Sequence, residues 1–188
     1  MPAARYTNVA IALHWIVGLL MVVNVALAWA WPIAPDEAVR PLINNHKSIG
    51  ITLLCLVAMR LLWRMTHRPP ALPDHHQPWE KRAAHMAHMT LYVVMIALPL
   101  SGWIMDSAWA KAADNPNYWF GLFEWPRIGF IMGMDAASKK EVHGLFGEVH
   151  EIAGYILYFL VIVHVGGALK HQFLDKDKEL ARMGLGKA

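Results

Sequence analysis

Four histidines fall in or at the ends of strongly apolar stretches: His14, His46, His150 and His164. Imidazole carries protons and ligates metals, and within a hydrocarbon layer it is costly enough to mark a site of function. His150 and His164 are fourteen residues apart on one apolar stretch. That spacing is about 3.9 helical turns, so both rings share a face, about 21 Å apart along the axis. Two ligands on one face, near the two ends of a membrane-length helix, predict two cofactors stacked across a bilayer.

The elements that must hold these rings are apolar helices. The chain has 188 residues, 56% of them hydrophobic and only 16% charged, below the quarter or so typical of soluble domains. Mean hydropathy is +0.32, and nine tryptophans suit a protein with two aromatic interfacial belts. A net charge of +3 and this apolar composition do not describe a nucleic-acid binder. The single cysteine, Cys55, excludes an internal disulfide, and no C-x-x-C-H motif is present for covalent haem attachment. Iron–sulfur ligation by this chain alone is disfavoured for want of thiolates. Cys55 reads as a small buried apolar residue.

Four spans are expected, at about residues 8–31, 46–63, 83–105 and 146–169, each close to the ~20 residues that cross a hydrocarbon core. Helices satisfy so much apolar backbone in lipid. Ala26-Leu27-Ala28 has the form of a cleavage triplet. The apolar run before it is longer than a signal h-region, though, and carries only Arg5 ahead of it, so the first span is read as retained. The whole chain, 1–188, reads as one all-α, integral-membrane, four-helix up-and-down bundle, with no internal repeat and no soluble second domain.

Loop charges orient it. The N-terminus, the 64–82 loop and the C-terminus share one side and hold Arg5, Arg64, Arg68, Lys81, Arg82, Lys170, Lys176, Lys178, Arg182 and Lys187. The other side has Arg40, Lys47, Lys111, Arg127, Lys139 and Lys140 over longer loops. The positive-inside rule places both termini in the cytoplasm. Pro69, Pro70, Pro73 and Pro78 make the 64–82 loop extended. The 106–140 loop carries Trp109, Tyr118, Trp119, Phe120, Phe123, Trp125 and Phe130, so it should lie at the membrane interface or cap the bundle.

Up-and-down topology matches the histidines by depth: His14 with His164 on the cytoplasmic side, His46 with His150 on the far side. Two bis-imidazole sites result, in the bundle interior where facing side chains hold cofactors. Gly18, Gly50 and Gly154 follow His14, His46 and His150 by four residues, on the same face one turn on, leaving space beside each ring for a flat macrocycle. Gly147 also follows His143 by four, and glycine is common in packed membrane helices. Lone intramembrane histidines often only hydrogen-bond across helices. Four with matched depths argue for ligation. Structural zinc wants four tetrahedral ligands, whereas haem iron needs only two axial ones from the protein, so two b-type haems are expected.

The stretches Ala12-Leu13-His14-Trp15, Arg40-Pro41-Leu42-Ile43-Asn44-Asn45-His46, Ala84-His85-Met86-Ala87-His88, Ile96-Ala97-Leu98-Pro99 and His150-Glu151 with His164 resemble the bacterial cytochrome b561 family over nearly the whole chain. The resemblance is nearest to its superoxide:ubiquinone oxidoreductase type. It implies a four-helix dihaem protein of the bacterial inner membrane, with ligands His14, His46, His150 and His164, and it favours His150 over His143. It also implies that superoxide gives up an electron at the periplasmic haem, and that ubiquinone takes electrons at the cytoplasmic one.

Quinone carbonyls need hydrogen-bond donors beside an apolar slot. His85, His88 and Arg82 at the cytoplasmic start of the third helix, and His171 just past the fourth helix, seven residues after His164, are the candidates; the plain alternative is a set of interfacial polar residues. For anionic superoxide, Lys47 beside His46 is the candidate approach residue. It reads equally as a snorkelling or propionate-pairing lysine. The far side carries nine acids to six bases, so only a local funnel is supported. Arg60, Arg64 and Arg68 recur every four residues and read first as a positive-inside anchor, second as propionate partners. Two other classes stay open: a non-catalytic cytochrome b subunit anchoring a dehydrogenase or hydrogenase to the quinone pool, and a haem-free transporter or scaffold. Protein partners are not legible.

Overall fold

The computed structural model describes residues 5–71 and 76–186; Pro73 and Lys187 lie outside the described residues. Among the described residues, four helices are long and apolar enough to cross a membrane: α1 (Asn8–Ala30), α2 (Asp36–Thr66), α3 (Pro78–Ser107) and α5 (Ala136–Phe173). Between α3 and α5 lie a two-stranded hairpin, β1 (Tyr118–Trp119) with β2 (Phe123–Glu124), and the short α4 (Gly129–Met132). A single turn, α6 (Glu179–Arg182), follows α5.

Helix α1 keeps to its expected span, whereas α2, α3 and α5 overrun theirs at both ends. Helix α2 starts at Asp36, ten residues before His46, with Asp36 and Glu37 in its first turn, where carboxylates favour the positive end of the helix dipole. Pro41 lies inside it. Helix α3 starts at Pro78, the N1 position where proline costs nothing, behind a reciprocal Gln77–Glu80 capping box. Pro78 therefore opens a helix rather than extending a loop, and the extended connection shrinks to its middle. Helix α5 begins at Ala136 because Asp135 caps the amides of Ala137 and Ser138. Hydropathy marks only the lipid-immersed part of a helix; capping chemistry marks where it ends.

Helix α1 packs on α2, α2 on α3, and α3 on α5, whereas α1 and α5 do not approach closely along their length. The protein core is a thin layer at mid-height: Val17 of α1, Leu53 and Val57 of α2, Leu91, Val94 and Met95 of α3, and Leu157 of α5. Leu157 sits seven residues from both His150 and His164, so an apolar layer separates the two histidine levels. Leu19, Val22, Val93, Phe159 and Ile162 point outward, the pattern of helices that bury their outer face in lipid and associate by close packing rather than by exclusion of water. Sequence reasoning buries Cys55; it is exposed, on the outer face of α2, where lipid rather than protein covers an apolar side chain.

The two ends of the described chain meet at one end of the bundle, the terminal end. The Tyr6 amide donates to the Arg182 carbonyl at 3.2 Å, the Trp15 indole to the Met183 carbonyl at 2.9 Å, and the Trp63 indole to Thr7 Oγ1 at 2.9 Å. At the far end the aromatic connection is a fastened cap. Trp119 donates to Thr52 Oγ1 at 3.1 Å, and the Phe120 amide to Ser48 Oγ at 2.9 Å. Phe120 and Gly121 both have positive φ (47° and 74°), the left-handed pair of a tight hairpin turn, and the Ser48 bond holds Phe120 in that strained region.

Candidate functional site

The far-end pair is built by α2 and α5. His46 and His150 face each other with ring centroids 6.1 Å apart and planes at 72°. Each ring is set by the backbone of a neighbouring helix. His46 Nδ1 donates to the Asn24 carbonyl of α1 at 3.0 Å, and His150 Nδ1 to the Leu98 carbonyl of α3 at 2.9 Å. A carbonyl only accepts, so the proton is on Nδ1 and Nε2 keeps its lone pair for a metal. Ser101 Oγ stands 3.1 Å from His150 Nδ1 and itself donates to the Leu98 carbonyl at 2.8 Å. Gly102 completes the seat: a Cβ there would lie 3.3 Å from His150 Cε1.

At the terminal end His14 of α1 and His164 of α5 repeat the arrangement, with centroids 6.1 Å apart and planes at 71°. His14 Nδ1 is buried without a protein partner among the described residues, an exception that a buried polar atom needs a reason for. His88 of α3 stands edge-on to His164 at 5.4 Å.

These residues fit axial ligation of a haem. A metal–imidazole bond of about 2 Å, with the ring centre about 1 Å behind its nitrogen, separates two opposed ligand rings by about 6 Å. Both observed separations are 6.1 Å. The opposed helices α1 and α5, which share the terminal-end pair, are held apart, and a Cβ at Gly18 or Gly154 would meet nothing within 4 Å. Gly50 differs only in having Asn24 Nδ2 at 3.9 Å. His143 is not part of either pair: its Nδ1 donates to the Met105 carbonyl at 2.9 Å, and Gly147 packs near Met105 Sδ.

Residues 5–186 match the family described as prokaryotic cytochrome b561. The chain belongs to the prokaryotic cytochrome b561 family. It is similar to cytochrome b561 homolog 2 of Escherichia coli (strain K12), with 31% identity over 98% of this chain and 93% of that one. Cytochrome b561 homolog 1 of the same organism is 28% identical, over 95% of this chain and 96% of its own. A probable superoxide oxidase CybB of Yersinia pestis is 25% identical, over 95% of both chains. This membership makes the chain a multi-pass membrane protein of electron transfer, with b-type haem as the implied cofactor.

Lys47 forms an ion pair with Asp106, whose second oxygen takes the Arg127 guanidinium at 2.9 Å. Lys47, Arg40, Asn44, Trp109 and Asp114 line a pocket of about 210 Å³ at the far end, with the Arg40 guanidinium 5.1 Å above the Trp109 ring. His88 is half-buried, whereas His85 and Arg82 are exposed. His171 is not drawn to His88: it stacks on His76 at 4.4 Å. Arg60 and Arg64 both lie over the Tyr92 ring, at 5.5 and 5.9 Å, while Arg68 falls beyond the end of α2 and leaves their shared face.

Sequence reasoning missed Asn24, Leu98, Ser101 and Gly102. Asn24, like Leu98, acts on its imidazole through the backbone. Leu98 acts through its carbonyl, which every residue carries and no sequence pattern marks.

Proposed function

We propose that this protein is a dihaem b-type oxidoreductase of the bacterial inner membrane, with both termini cytoplasmic, that passes electrons from periplasmic superoxide to ubiquinone. The observation that carries it is the repetition of one bis-histidine geometry at two depths, with an apolar layer between. A single ligand pair would serve one side of a membrane; two, on opposite ends of α5, connect both. Superoxide as donor is supported by likeness to the probable superoxide oxidase of Yersinia pestis, and the orientation by the loop charges.

Haem, when bound, supplies reversible one-electron storage at each level. The protein's own residues do the rest. His46 and His150 are locked in the Nδ1-protonated tautomer by carbonyls, which presents Nε2 and raises ligand basicity. Arg40 and Lys47 line the far-end pocket and attract a small anion over short range, while Asp106, paired with Lys47 and Arg127, limits any long-range field. At the terminal end His88, beside His164, would donate a hydrogen bond to a quinone carbonyl and pass on a proton. His85, exposed on the same helix, would relay protons to it, and Arg82 would add a fixed positive charge. The balance is two superoxide anions giving two O₂, their two electrons and two protons converting ubiquinone to ubiquinol.

The test is a stopped-flow measurement on haem-loaded protein with superoxide and a ubiquinone analogue. Haem reduction that outruns spontaneous dismutation, followed by quinone-dependent reoxidation, is expected. His88→Phe should keep both haem spectra and slow reoxidation by about 10²-fold or more. Reduction too slow to compete with dismutation would reassign the protein as an electron-transfer anchor subunit for a dehydrogenase or hydrogenase.

A further inference from the structure

At the terminal end, away from both histidine pairs, two imidazoles and two carboxylates converge. Their ligand atoms, one each from His76, His171, Asp175 and Asp177, all lie within 4.8 Å of one another. We propose that these four residues form a binding site for a divalent transition-metal ion, with zinc as its natural probe, clamping the start of α3 to the end of α5.

The donor set is the first argument. Imidazole nitrogen and carboxylate oxygen are the ligands of borderline divalent ions, zinc above all, and four of them make a closed tetrahedral shell. The geometry is the second. His171 Nδ1 lies 2.7 Å from Asp175 Oδ2 and 3.7 Å from Asp177 Oδ2, and His76 Nε2 meets the same Asp177 oxygen. Bonds of about 2 Å in a tetrahedron set neighbouring ligand atoms about 3.3 Å apart, so the side chains need to move by only about an ångström to close round an ion.

Burial is the third. The His76 and Asp177 side chains are 4% and 5% exposed, so half of the donor set is held inside the protein, away from competing water. Lys170 reaches the same corner: its Nζ bridges Asp175 Oδ2 at 2.7 Å and Glu80 Oε1 at 2.8 Å. The turn that presents Asp175 and Asp177 is also specialised. Lys176 and Lys178 have φ of 62° and 55°, left-handed values that non-glycine residues seldom take. Alternating them with the two aspartates turns both acids toward the histidines.

The four ligands come from two distant parts of the chain, so an ion there ties the connection before α3 to the turn after α5. His171 is two turns below His164, about 10 Å, which sets this centre apart from the proposed haem ligands. The proposal does not depend on superoxide or quinone chemistry.

The test uses full-length, haem-loaded protein in detergent, stripped with chelator, dialysed against zinc and analysed for zinc and iron per chain. One zinc is expected in the wild type. His76→Ala and Asp177→Asn should each weaken binding at least about 10-fold with iron per chain unchanged. Zinc absent from the wild type, or equal in wild type and variants, overturns the proposal. Should either variant fail to hold haem, X-ray absorption at the zinc edge of the wild type decides. Two imidazoles with oxygen ligands at about 2 Å uphold the site, and fewer than two imidazoles overturn it.

Discussion

Gly102 lies flat against His150, so close that a Cβ at position 102 would stand 3.3 Å from the imidazole Cε1 and 3.4 Å from Nδ1. The ring has little freedom to retreat, because the Leu98 carbonyl and Ser101 hold its Nδ1. Gly102→Ala should tilt the imidazole by tenths of an ångström and shift the spectrum and potential of the far-end haem alone. Gly102→Val should displace it and, on the proposed two-haem reading, lower the haem content toward one per chain. Haem quantitation with a redox titration checks both; a Val variant with two unperturbed haems would remove the steric argument.

The two histidine pairs should be separable. His14→Ala is expected to cost the terminal-end haem and spare the other, and His46→Ala the reverse, because each pair is held by different neighbours and Leu157 and its apolar layer lie between. Reduced-minus-oxidised spectra of the two variants should add up to that of the wild type. Loss of both haems from either variant would instead mean that the pairs assemble as one unit.

Asp106 joins α3 to α2 through Lys47 and to the aromatic cap through Arg127, whose Nη1 also donates to the Ala112 carbonyl at 2.7 Å. The carboxylate is only 7% exposed. Asp106→Asn strands two cations, and removing one partner of a buried ion pair costs about 3 kcal/mol. The expected result is a lower melting temperature with the cap loosened first, seen as faster hydrogen exchange across residues 108–135. Lys47→Gln, which leaves Asp106 its arginine, should cost less stability and show its effect in the rate of reduction by superoxide.

Acid should fray α5 from its far end. The Ser138 hydroxyl and then the amides of Ser138 and Ala137 hold the Asp135 carboxyl below its ordinary value. A depressed carboxyl stabilises the folded state above the unfolded pKa, about 4, and that contribution is lost as pH falls through the lower folded value. Exchange at the Ala137 and Ser138 amides should therefore quicken only below about pH 4. Asp135→Ala should show the fast exchange at every pH.

Much of this was legible in the chain because hydropathy and helical period are local. His14, His46, His150 and His164 stand out as imidazoles in apolar runs, and alternating spans leave only one depth-matched way to pair them. The ends of α2 and α5 were less legible, since Asp36 and Asp135 begin helices outside the apolar stretch, where water rather than lipid sets the boundary. Cys55 was misread because in a membrane protein an apolar residue is as much at home outside the bundle as inside it.

What the sequence by itself determined is the number of spans, their alternation and the identity of the ring-bearing residues, each a property of composition along one segment. Only the tertiary structure decided which groups act on those rings. The carbonyls of Asn24 and Leu98, the missing side chain of Gly102, the edge of His88 and the meeting of His76 with His171, Asp175 and Asp177 all depend on approach between segments far apart in the chain. Such approach is set by packing, and backbone carbonyls and absent side chains carry no signature of it in one dimension.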